Sequence, residues 1–332
     1  MRAAIPFPPI PRPSVRTLKQ HVLRALIESS LVSGQHLAAA NGVSRMAISK
    51  AVASLRREGF DIESHAGMGY GLRALAPTLT EAEVGARTTS EWWDEIGGAP
   101  EVASTNDVVL DAGRRGAEGP LAFVAATQSA GRGRLGRTWE SERGGAYVSL
   151  LVRPRTQTLD VSTLSLVSAL AVARALESFD VPVSVKWPND VFAGEGKIAG
   201  ILLESHSSLD GLEYVAIGVG INVATPSLAS ASSVGHYASE ANAAQVVARF
   251  LDDFAALYPT WRSSGFAPFR AEFARLDRNV GQPVTVRNRG GEVVESGRCI
   301  GVDERGRLLL EQENGVLVPV VSGEVTTRST LR

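Results

Sequence analysis

Between residues 120 and 223, the chain contains several short apolar segments that are separated more often by turns than by helices. The strand-length segments are PLAFVAATQ, GAYVSLLV, VSVKWPNDVF, KIAGILLES and LEYVAIGVGINV, and one long helix is predicted over residues 160–179. Parallel strands need a crossover helix between them, whereas antiparallel strands need only a turn. This order therefore predicts an α+β fold with a mixed, largely antiparallel sheet and helices on one face.

The first 78 residues have a different pattern. Residues 1–13 contain five prolines and no helical or strand period, so we expect a disordered extension there. Three helices are predicted from residue 14, with Ser33 and Ser44 as N-caps of the second and third, followed by a hairpin around Gly67-Met68-Gly69. Three helices and a hairpin, with a tight glycine turn between the last two helices, predict a winged helix-turn-helix over residues 14–78.

The alternative reading of this domain is a small helical cap that does not bind DNA. Its local excess of basic residues favours DNA binding. Residues 14–73 carry eight Arg and Lys against four acidic residues, although the whole chain has a formal net charge of −1. The third helix is the expected recognition helix, on which small polar residues lie between basic ones. Its candidate DNA-contacting residues are Ser44, Arg45, Ser49, Lys50 and Arg56.

From Gly281 the pattern becomes all-β, with the segments PVTVRN, VVESGRCIGVD, RLLLEQ and VLVPVV separated by Gly or Asn. Short strands at this spacing predict a small SH3-like barrel over residues 279–332. Residues 74–100 are polar and are predicted to form a connector, so the central domain is assigned to residues 79–278.

Composition excludes several classes of protein. Cys299 is the only cysteine among 332 residues, which rules out an internal disulfide framework and a cysteine zinc cluster. The five histidines are scattered without paired ligand spacing, so we expect no metal site built by the protein alone. The most apolar helical run is too short to span a bilayer, and the N-terminus lacks the apolar core of a signal peptide. We therefore expect a cytoplasmic protein that has no membrane partner.

The segment GRGRLGRTW, residues 131–139, lies between two predicted strands. Arginine binds phosphate and carboxylate through a rigid fork of donors, and glycine allows close backbone approach. The segment therefore predicts a loop that closes over an anion, with Trp139 offering a flat apolar face to an aromatic ring. An RNA-binding arginine–glycine segment or a solvated turn is the alternative, but such segments usually repeat in low-complexity tails.

A second polar cluster, KWPNDV at residues 186–191, is predicted to present Asn189 and Asp190 just beyond a strand that ends at Pro188. An ordinary Asx turn is the alternative reading of these residues. Lys197 follows in GEGKIAGILLE, at the start of an apolar strand. GEGK lacks the spacing of a P-loop, and GVGINV at 218–223 lacks the third glycine of a dinucleotide fingerprint. Each motif by itself is therefore weak evidence for a nucleotide-binding site.

Taken in order, these motifs closely resemble those of the biotin–protein ligases, in the bifunctional form that also carries a DNA-binding domain. The motifs are STN at 104–106, TQSAGRGRLGRTW at 127–139, KWPND at 186–190, KIAGILLE at 197–204, GVGIN at 218–222 and the late SGEV at 322–325. The resemblance covers the chain from about Thr17 to its end. It implies a class II synthetase-like ligase fold for the central domain, and it leaves the operator sequence open.

The resemblance also implies an activity. Such a ligase joins biotin to ATP, releases pyrophosphate, and transfers biotin from biotinyl-AMP to a lysine of a biotin carboxyl carrier protein, such as that of acetyl-CoA carboxylase. Biotin and ATP with Mg²⁺ would be the substrates. Operator DNA would be a further partner, bound by a homodimer that carries biotinyl-AMP and represses the biotin synthesis genes.

Carried over position by position, the resemblance implies roles for individual residues. Lys197, Arg132 and Asp190 would be catalytic. Biotin would be bound by Ser104, Thr105, Asn106, Gln128, Arg132, Gly133, Arg134 and Lys197. ATP and the adenylate would be bound by Gly131, Arg134, Arg137, Trp139, Asn189 and Asn222.

Three other functions are open at this point. The first is a biotin ligase without DNA regulation. The second is a lipoate–protein ligase, which shares the central fold, although the full GRGRxGR loop and KWPND favour biotin. The third is a biotin-sensing transcription factor without catalysis, against which the intact Lys197, Asp190 and arginine loop argue.

Overall fold

The computed structural model describes residues 16–154, 161–208, 211–224 and 231–327. The predicted N-terminal extension, residues 1–13, lies outside these ranges. Residues 18–74 form helices α1 (Leu18–Glu28), α2 (Gly34–Ala40) and α3 (Arg45–Arg57), followed by strands β1 (Asp61–His65) and β2 (Gly69–Ala74), which pair antiparallel. The winged helix-turn-helix is therefore confirmed.

Local sequence sets the ends of these helices. The Ser33 hydroxyl accepts hydrogen bonds from the amides of Gln35 and His36, and the Ser44 hydroxyl accepts one from the amide of Ala47. Both serines are thus the N-caps that the sequence predicts. The apolar stripe of α3 packs into the core of this domain as Ile48, Val52 and Leu55.

The central domain contains a seven-stranded sheet in the order β3-β4-β5-β9-β8-β7-β6. The β3–β4 pair is parallel and every other pair is antiparallel, so the predicted mixed sheet is confirmed. Its strands are β3 (Glu95–Val102), β4 (Leu121–Gln128), β5 (Ala146–Val152), β6 (Val183–Lys186), β7 (Asp190–Ala193), β8 (Gly196–Ser208) and β9 (Gly211–Ile221). Its helices are α4 (Glu81–Arg87), α5 (Thr105–Arg114), α6 (Leu164–Glu177), α7 (Ala243–Ser264) and α8 (Arg270–Leu276).

The two long helices α6 and α7 cover one face of this sheet with a continuous apolar core. One detail differs from the predicted arrangement, because α5 packs on the opposite face, against β4, β5 and β9. Leu121, Phe123 and Ala125 point to the α5 face, whereas Ala122 and Val124 point to the other. Helix α5 has few close contacts with β8, so this face of the sheet stays open on its β8 side.

The predicted connector at residues 74–100 contains regular structure, and that prediction is corrected. It includes α4 and β3. Strand β3 is rich in glycine and contains Pro100, a composition that is poor in strands, and its pairing with β4 supplies the missing stability. Helix α4 has only seven residues, and it is held between α1, β3 and α7.

A second correction concerns VSVKWPNDVF, which was expected to form one strand ending at Pro188. The structure ends β6 at Lys186 and begins β7 at Asp190, and the two strands pair as a hairpin. Pro188 has no amide hydrogen to donate to a ladder, which favours a turn at residues 187–189. Asn189 and Asp190 therefore belong to a hairpin turn and the strand that follows it.

The C-terminal region forms an antiparallel five-stranded sheet in the order β13-β12-β11-β10-β14. Its strands are β10 (Pro283–Arg287), β11 (Val293–Val302), β12 (Leu308–Glu311), β13 (Leu317–Val320) and β14 (Glu324–Thr327). Both edge strands contribute to one core, through Val320 and Val325. Trp187 Nε1 donates to Gly306 O at 2.9 Å, which places this sheet beside the β6–β7 turn. Among the described helices of the chain, none is long and apolar enough to cross a membrane.

Candidate active site

The segment GRGRLGRTW, residues 131–139, is called the arginine loop below, and it forms a small hairpin above the open face of the sheet. Gly133 N donates to Arg137 O at 2.7 Å, and Trp139 N donates to Gly131 O at 3.0 Å. At its tip, Leu135 and Gly136 have φ angles of 60° and 80°. At its base, a Cβ on Gly131 would lie 2.4 Å from Trp139 O, so this position requires glycine for close backbone approach. Gly131 is also buried.

Arg132 is bound by two carboxylates. Its guanidinium donates to both carboxylate oxygens of Asp107, at 3.0 and 2.7 Å, and to Glu204 Oε2 at 3.0 Å. The hydrogen bonds to Asp107 are the main cause of a raised pKa for Arg132, so the residue stays cationic at any physiological pH. An incoming anion would therefore meet a guanidinium that already has the geometry for bidentate binding.

The N-terminus of α5 carries a largely buried network of polar groups, which are neutral except for Glu204. Gln128 Oε1 accepts from Thr105 N at 2.8 Å and from Thr105 Oγ1 at 3.1 Å, and Gln128 Nε2 donates to Ser141 Oγ at 2.9 Å. Ser149 Oγ donates to Asn106 Oδ1 at 2.6 Å, and Asn106 Nδ2 donates to Glu204 Oε2 at 2.6 Å. The N-cap of this helix, Ser104, makes no side-chain capping hydrogen bond. The predicted cluster of Ser104, Thr105, Asn106 and Gln128 is thus brought together.

Three glycines of β8 and β9 form a flat surface below the loop. Gly200 pairs with Gly220, and Gly218 lies two residues earlier on the same face. A Cβ on Gly220 would lie 2.4 Å from Trp139 Nε1, and one on Gly218 would lie 2.4 Å from Asn106 Oδ1. The glycines of GVGIN and KIAG therefore make room for the indole ring and for the Asn106 amide. Their role is steric and differs from that of a phosphate-binding fingerprint.

Lys197 connects the sheet to the loop. Its ammonium lies 2.6 Å from Asp190 Oδ1 and 5.0 Å from the centroid of the Trp139 ring. Lys197 is the second residue of β8 and keeps a third of its side chain exposed, as predicted for a lysine anchored at a strand start. Because Asp190 is the first residue of β7, a pair of adjacent strands holds this ion pair in place.

The tip of the loop contacts the C-terminal sheet. Arg134 Nη1 donates to Asn189 Oδ1 at 2.9 Å, and Arg134 Nη2 donates to Gly323 O at 3.4 Å. Arg137 Nη1 donates to Glu324 Oε1 at 2.7 Å, and this pairing holds the pKa of Glu324 below its ordinary value. The late SGEV motif thus forms one wall of the site.

Most of the residues predicted to act in catalysis or to bind biotin or ATP line one open cleft of about 460 Å³. They are Ser104, Thr105, Asn106, Gln128, Arg132, Gly133, Arg134, Trp139, Asn189 and Lys197. Arg137 and Asp190 line a neighbouring cleft of about 570 Å³, which shares Arg134, Trp139 and Lys197 with the first. Asn222 does not line either cleft, since its Nδ2 donates to the carbonyls of Lys197 and Ser232 at 3.2 Å each.

Several residues of the site were missed by the sequence reading: Asp107, Ser149, Glu204, Lys186, Glu324 and the glycines of the flat surface. Asp107 directly follows STN, and Glu204 ends KIAGILLE, so proximity to recognised motifs was a usable signal for both. Ser149 gave no such signal, because it is a single hydroxyl inside an apolar strand.

The candidate DNA-contacting residues lie on α3. Ser44, Arg45, Ser49 and Lys50 are exposed at its N-terminal half. Arg56 differs from them, since its Nε donates to Ile62 O and its Nη2 to Ser64 Oγ, each at 2.8 Å. Its guanidinium therefore links α3 to the first strand of the wing.

Comparison with known proteins matches each region to a separate family model. Residues 98–222 match the biotin/lipoate A/B protein ligase family, residues 280–328 the biotin protein ligase C-terminal domain, and residues 18–71 a helix-turn-helix domain. Together these matches extend over the winged domain, the cleft and the C-terminal sheet.

Relatives match nearly the whole chain. The bifunctional ligase/repressor BirA of Escherichia coli is 30% identical over 94% of this chain and 98% of its own length. The protein of the same name from Bacillus subtilis is 30% identical over 90% of this chain and 96% of its own. The biotin protein ligase of Aquifex aeolicus, solved with biotin and ATP, superposes with a TM-score of 0.61 at 28% identity, covering 70% of this chain and 98% of that one.

Proposed function

The chain belongs to the biotin/lipoate A/B protein ligase family, and on that basis we propose that it is an ATP-dependent biotin–protein ligase that also acts as a biotinyl-AMP-dependent repressor. In the first step, the biotin carboxylate attacks the α-phosphate of ATP, which yields biotinyl-AMP and pyrophosphate. In the second step, a lysine amine of a biotin carboxyl carrier domain attacks the mixed anhydride, and AMP leaves.

The division of the cleft into a neutral end and a cationic end carries this proposal. The ureido group of biotin is neutral and has both donors and acceptors, which matches the network of Thr105, Asn106 and Gln128. The carboxylate of biotin and the phosphates of ATP are anionic, which matches Arg132 and Lys197. A substrate with one neutral polar end and one anionic end therefore matches the two ends of the cleft.

Each charged residue then has a stated role. Arg132 and Lys197 neutralise the two anions as they approach and stabilise charge in the transition state, and Gly133 allows close approach of the backbone. Arg134, Trp139 and Asn189 hold the adenylate, with Gly131 and Arg137 shaping the loop around it. Asn222 acts at a distance, because its amide keeps the segments of Lys197 and Ser232 together.

We assign Asp190 to the second step. The attacking amine arrives protonated, and a carboxylate beside the anhydride orients the amine and eases the loss of its proton. The ion pair with Lys197 holds Asp190 beside the lysine that we assign to the substrate anions.

Mg²⁺ would enter with ATP as part of the substrate. Within the described ranges, no group of three or more His, Cys, Asp or Glu residues is arranged to hold a metal ion. The phosphates themselves are the hard oxygen ligands that Mg²⁺ prefers. Its chemistry would be to neutralise charge on the leaving pyrophosphate.

The test of the ligase activity is incubation with biotin, ATP and Mg²⁺, followed by mass spectrometry. We expect biotinyl-AMP, pyrophosphate release, and a mass gain on a lysine of an added carrier domain. Lipoate should compete poorly with biotin. Formation of lipoyl-AMP in preference to biotinyl-AMP would replace the biotin assignment, and absence of either adenylate would remove the enzymatic one.

Repression is supported by the exposed basic face of α3. One winged helix makes few phosphate contacts and binds DNA weakly, whereas two on one face of a homodimer can read a two-fold operator. A ligand that prefers the dimer shifts the equilibrium toward it. We therefore expect sedimentation to show dimers, and DNA selection to yield two-fold sites, when biotinyl-AMP is present. The same association state and DNA affinity with and without biotinyl-AMP would leave a ligase without regulation.

Three further assignments belong to this proposal. The acceptor is the biotin carboxyl carrier domain of acetyl-CoA carboxylase or of a similar enzyme, and the protein works in the cytoplasm, where ATP and operator DNA are found. The domain limits are residues 14–78 for DNA binding, 79–278 for catalysis and 279–332 for the C-terminal barrel.

A further inference from the structure

Residues 277–282 connect α8 to β10, the first strand of the C-terminal sheet, and are called the junction below. The backbone of the junction is hydrogen-bonded on two sides. Arg278 N donates to Val185 O of β6 at 3.0 Å, and Gly281 N donates to Cys299 O of β11 at 2.7 Å. Since β6 is an edge strand of the central sheet, the junction attaches the C-terminal sheet to that edge.

Two buried side-chain oxygens of the junction have no hydrogen-bond donor among the described residues. They are Asp277 Oδ2 and Asn279 Oδ1, on side chains that are 9% and 2% exposed. The other carboxylate oxygen, Asp277 Oδ1, accepts from Asn279 N at 2.9 Å, so the two residues form one Asx turn. A buried acceptor without a donor is costly, and the cost is greatest when the acceptor is an ionised carboxylate.

Among the described residues, none forms an ion pair with Asp277. Lys186 on β6 has its ammonium 5.9 Å from the centroid of the Phe192 ring. The Cys299 thiol on β11 is buried, and its pKa is raised by burial and then by the Asp277 carboxylate. The other charged groups on the elements around Asp277 have partners of their own: Arg278 with Glu195, Arg174 with Glu272, Arg275 with Glu177, and Arg270 with the Val302 carbonyl.

The burial of Asp277 makes its proton affinity depend on whether the junction is closed. Burial raises its pKa to about 6, against an ordinary value of 3.8, and the hydrogen bond from Asn279 N opposes this rise. When the junction opens, water reaches the carboxyl and the pKa falls toward the ordinary value. The closed junction therefore binds the proton more tightly than the open one. Closure is strongest below about pH 4, weakens as the pH rises to about 6, and is constant at higher pH.

We propose that Asp277 is a pH-sensitive switch at the junction, whose protonated side chain keeps the C-terminal sheet attached to β6 and whose ionised side chain favours opening. The proton comes from solvent and returns to it. A protonated carboxyl is neutral and carries its own donor, so it can stay buried, whereas the carboxylate needs the hydration that opening supplies. Because the same sheet carries Gly323 and Glu324 to the arginine loop, the switch sets how firmly that wall of the site is held. This inference does not depend on the ligase assignment.

The test uses Cys299, the only cysteine of the chain, which is buried beside the junction. Its reaction with dithiodipyridine measures opening, in the wild type and in Asp277→Asn, which keeps the side-chain shape and cannot ionise. The ratio of the two rates cancels the intrinsic pH dependence of the thiol reaction. We expect the ratio of wild type to variant to rise about tenfold between about pH 5 and about pH 7 and then to level off. Asp277→Ser cannot ionise either and should give the same rise.

Glu304→Gln removes an exposed carboxylate of the same sheet and should keep the profile of the wild type. A second thiol position separates local opening from unfolding of the whole chain: Ala171→Cys in a Cys299→Ala background lies in the buried core of α6. Cys299 should react at least about tenfold faster than this position, because local openings need less free energy than global unfolding. A ratio of wild type to Asp277→Asn that stays constant with pH would overturn the inference. Equal rates at the two thiol positions would also overturn it, since Cys299 would then be reached only by unfolding of the central domain.

Discussion

At the α5 end of the first cleft, neutral polar side chains bond mainly to one another, whereas at the loop end charged side chains bond between distant segments. The Thr105, Asn106 and Ser149 side chains are all buried and satisfy one another. Arg132 and Arg137 are half-buried to exposed, and their partners are carboxylates.

The difference follows from what each end must do. A buried neutral network is costly to break, so it holds one geometry and selects a ligand by hydrogen-bond pattern. Exposed ion pairs contribute little stability and can exchange partners when a stronger anion arrives. We therefore expect substitutions at the loop end to change chemistry without changing folding, and substitutions at the α5 end to change both.

The largest effect is expected for Lys197→Ala. Adenylation should fall about 10²–10³-fold, because one charge donor to the transition state is lost. The melting temperature should stay close to that of the wild type, since Lys197 is partly exposed at a strand start. Pyrophosphate release and thermal melting measure the two quantities, with the exposed Lys50→Ala as control. A near-normal rate of release would remove Lys197 from the mechanism.

Asp190→Asn tests whether this residue at the loop end of the cleft acts on transfer and not on adenylation. The substitution keeps the side-chain shape and removes the charge, so transfer to the carrier should slow by about 10²-fold. Adenylation should change much less. Single-turnover transfer from prepared biotinyl-AMP gives the comparison. If adenylation slows as much as transfer, Asp190 acts only by positioning Lys197, to which it is paired.

Arg132→Ala should weaken retention of biotinyl-AMP by about 10- to 100-fold, the scale of a charged hydrogen bond. Thermal stability should change little, because its ion pairs are partly exposed. Dissociation of the adenylate is measured by chase with excess biotin and ATP, with the exposed Arg57→Ala as control. Limited proteolysis gives a second reading, in which biotinyl-AMP should protect residues 132–137 in the wild type. Identical cleavage with and without the adenylate would contradict closure of the loop.

Ser149→Ala should give the smallest effect on catalysis and the clearest effect on folding. It leaves Asn106 Oδ1 without its donor in a buried site, which costs about 1–3 kcal/mol. KM for biotin should rise about tenfold while kcat changes little. Denaturant unfolding and steady-state kinetics test this, with the exposed Ser129→Ala as control. A rise in KM without a loss of stability would mean that the network is not preorganised.

Much of this architecture could be read from short stretches of sequence. The helices of the winged domain begin at Ser33 and Ser44 because each hydroxyl caps amides two or three residues away. The Gly and Arg content of the loop, and the position of Lys197 at a strand start, are likewise local properties. These predictions succeeded because backbone propensity and capping act over one or two turns.

Strand β3 could not be predicted in this way, because its Gly-Gly-Ala-Pro composition is unfavourable and only its ladder with β4 makes it a strand. The partners of Arg132 are similar. Asp107 lies 25 residues before it and Glu204 lies 72 residues after it. Only the packing of α5 over the sheet and the register of β8 bring the three together.

The sequence by itself thus determined most of the elements and the chemistry of the loop, since these depend on residue types at near neighbours, whereas α4, β3 and the β6–β7 hairpin were not predicted. Tertiary structure alone decided which carboxylate meets which arginine, why Gly218 and Gly220 must lack side chains, and that none of the described residues accepts a hydrogen bond from Lys186. The physical reason is that sheet register and domain packing set distances between residues that are far apart in the chain, and no local propensity encodes those distances.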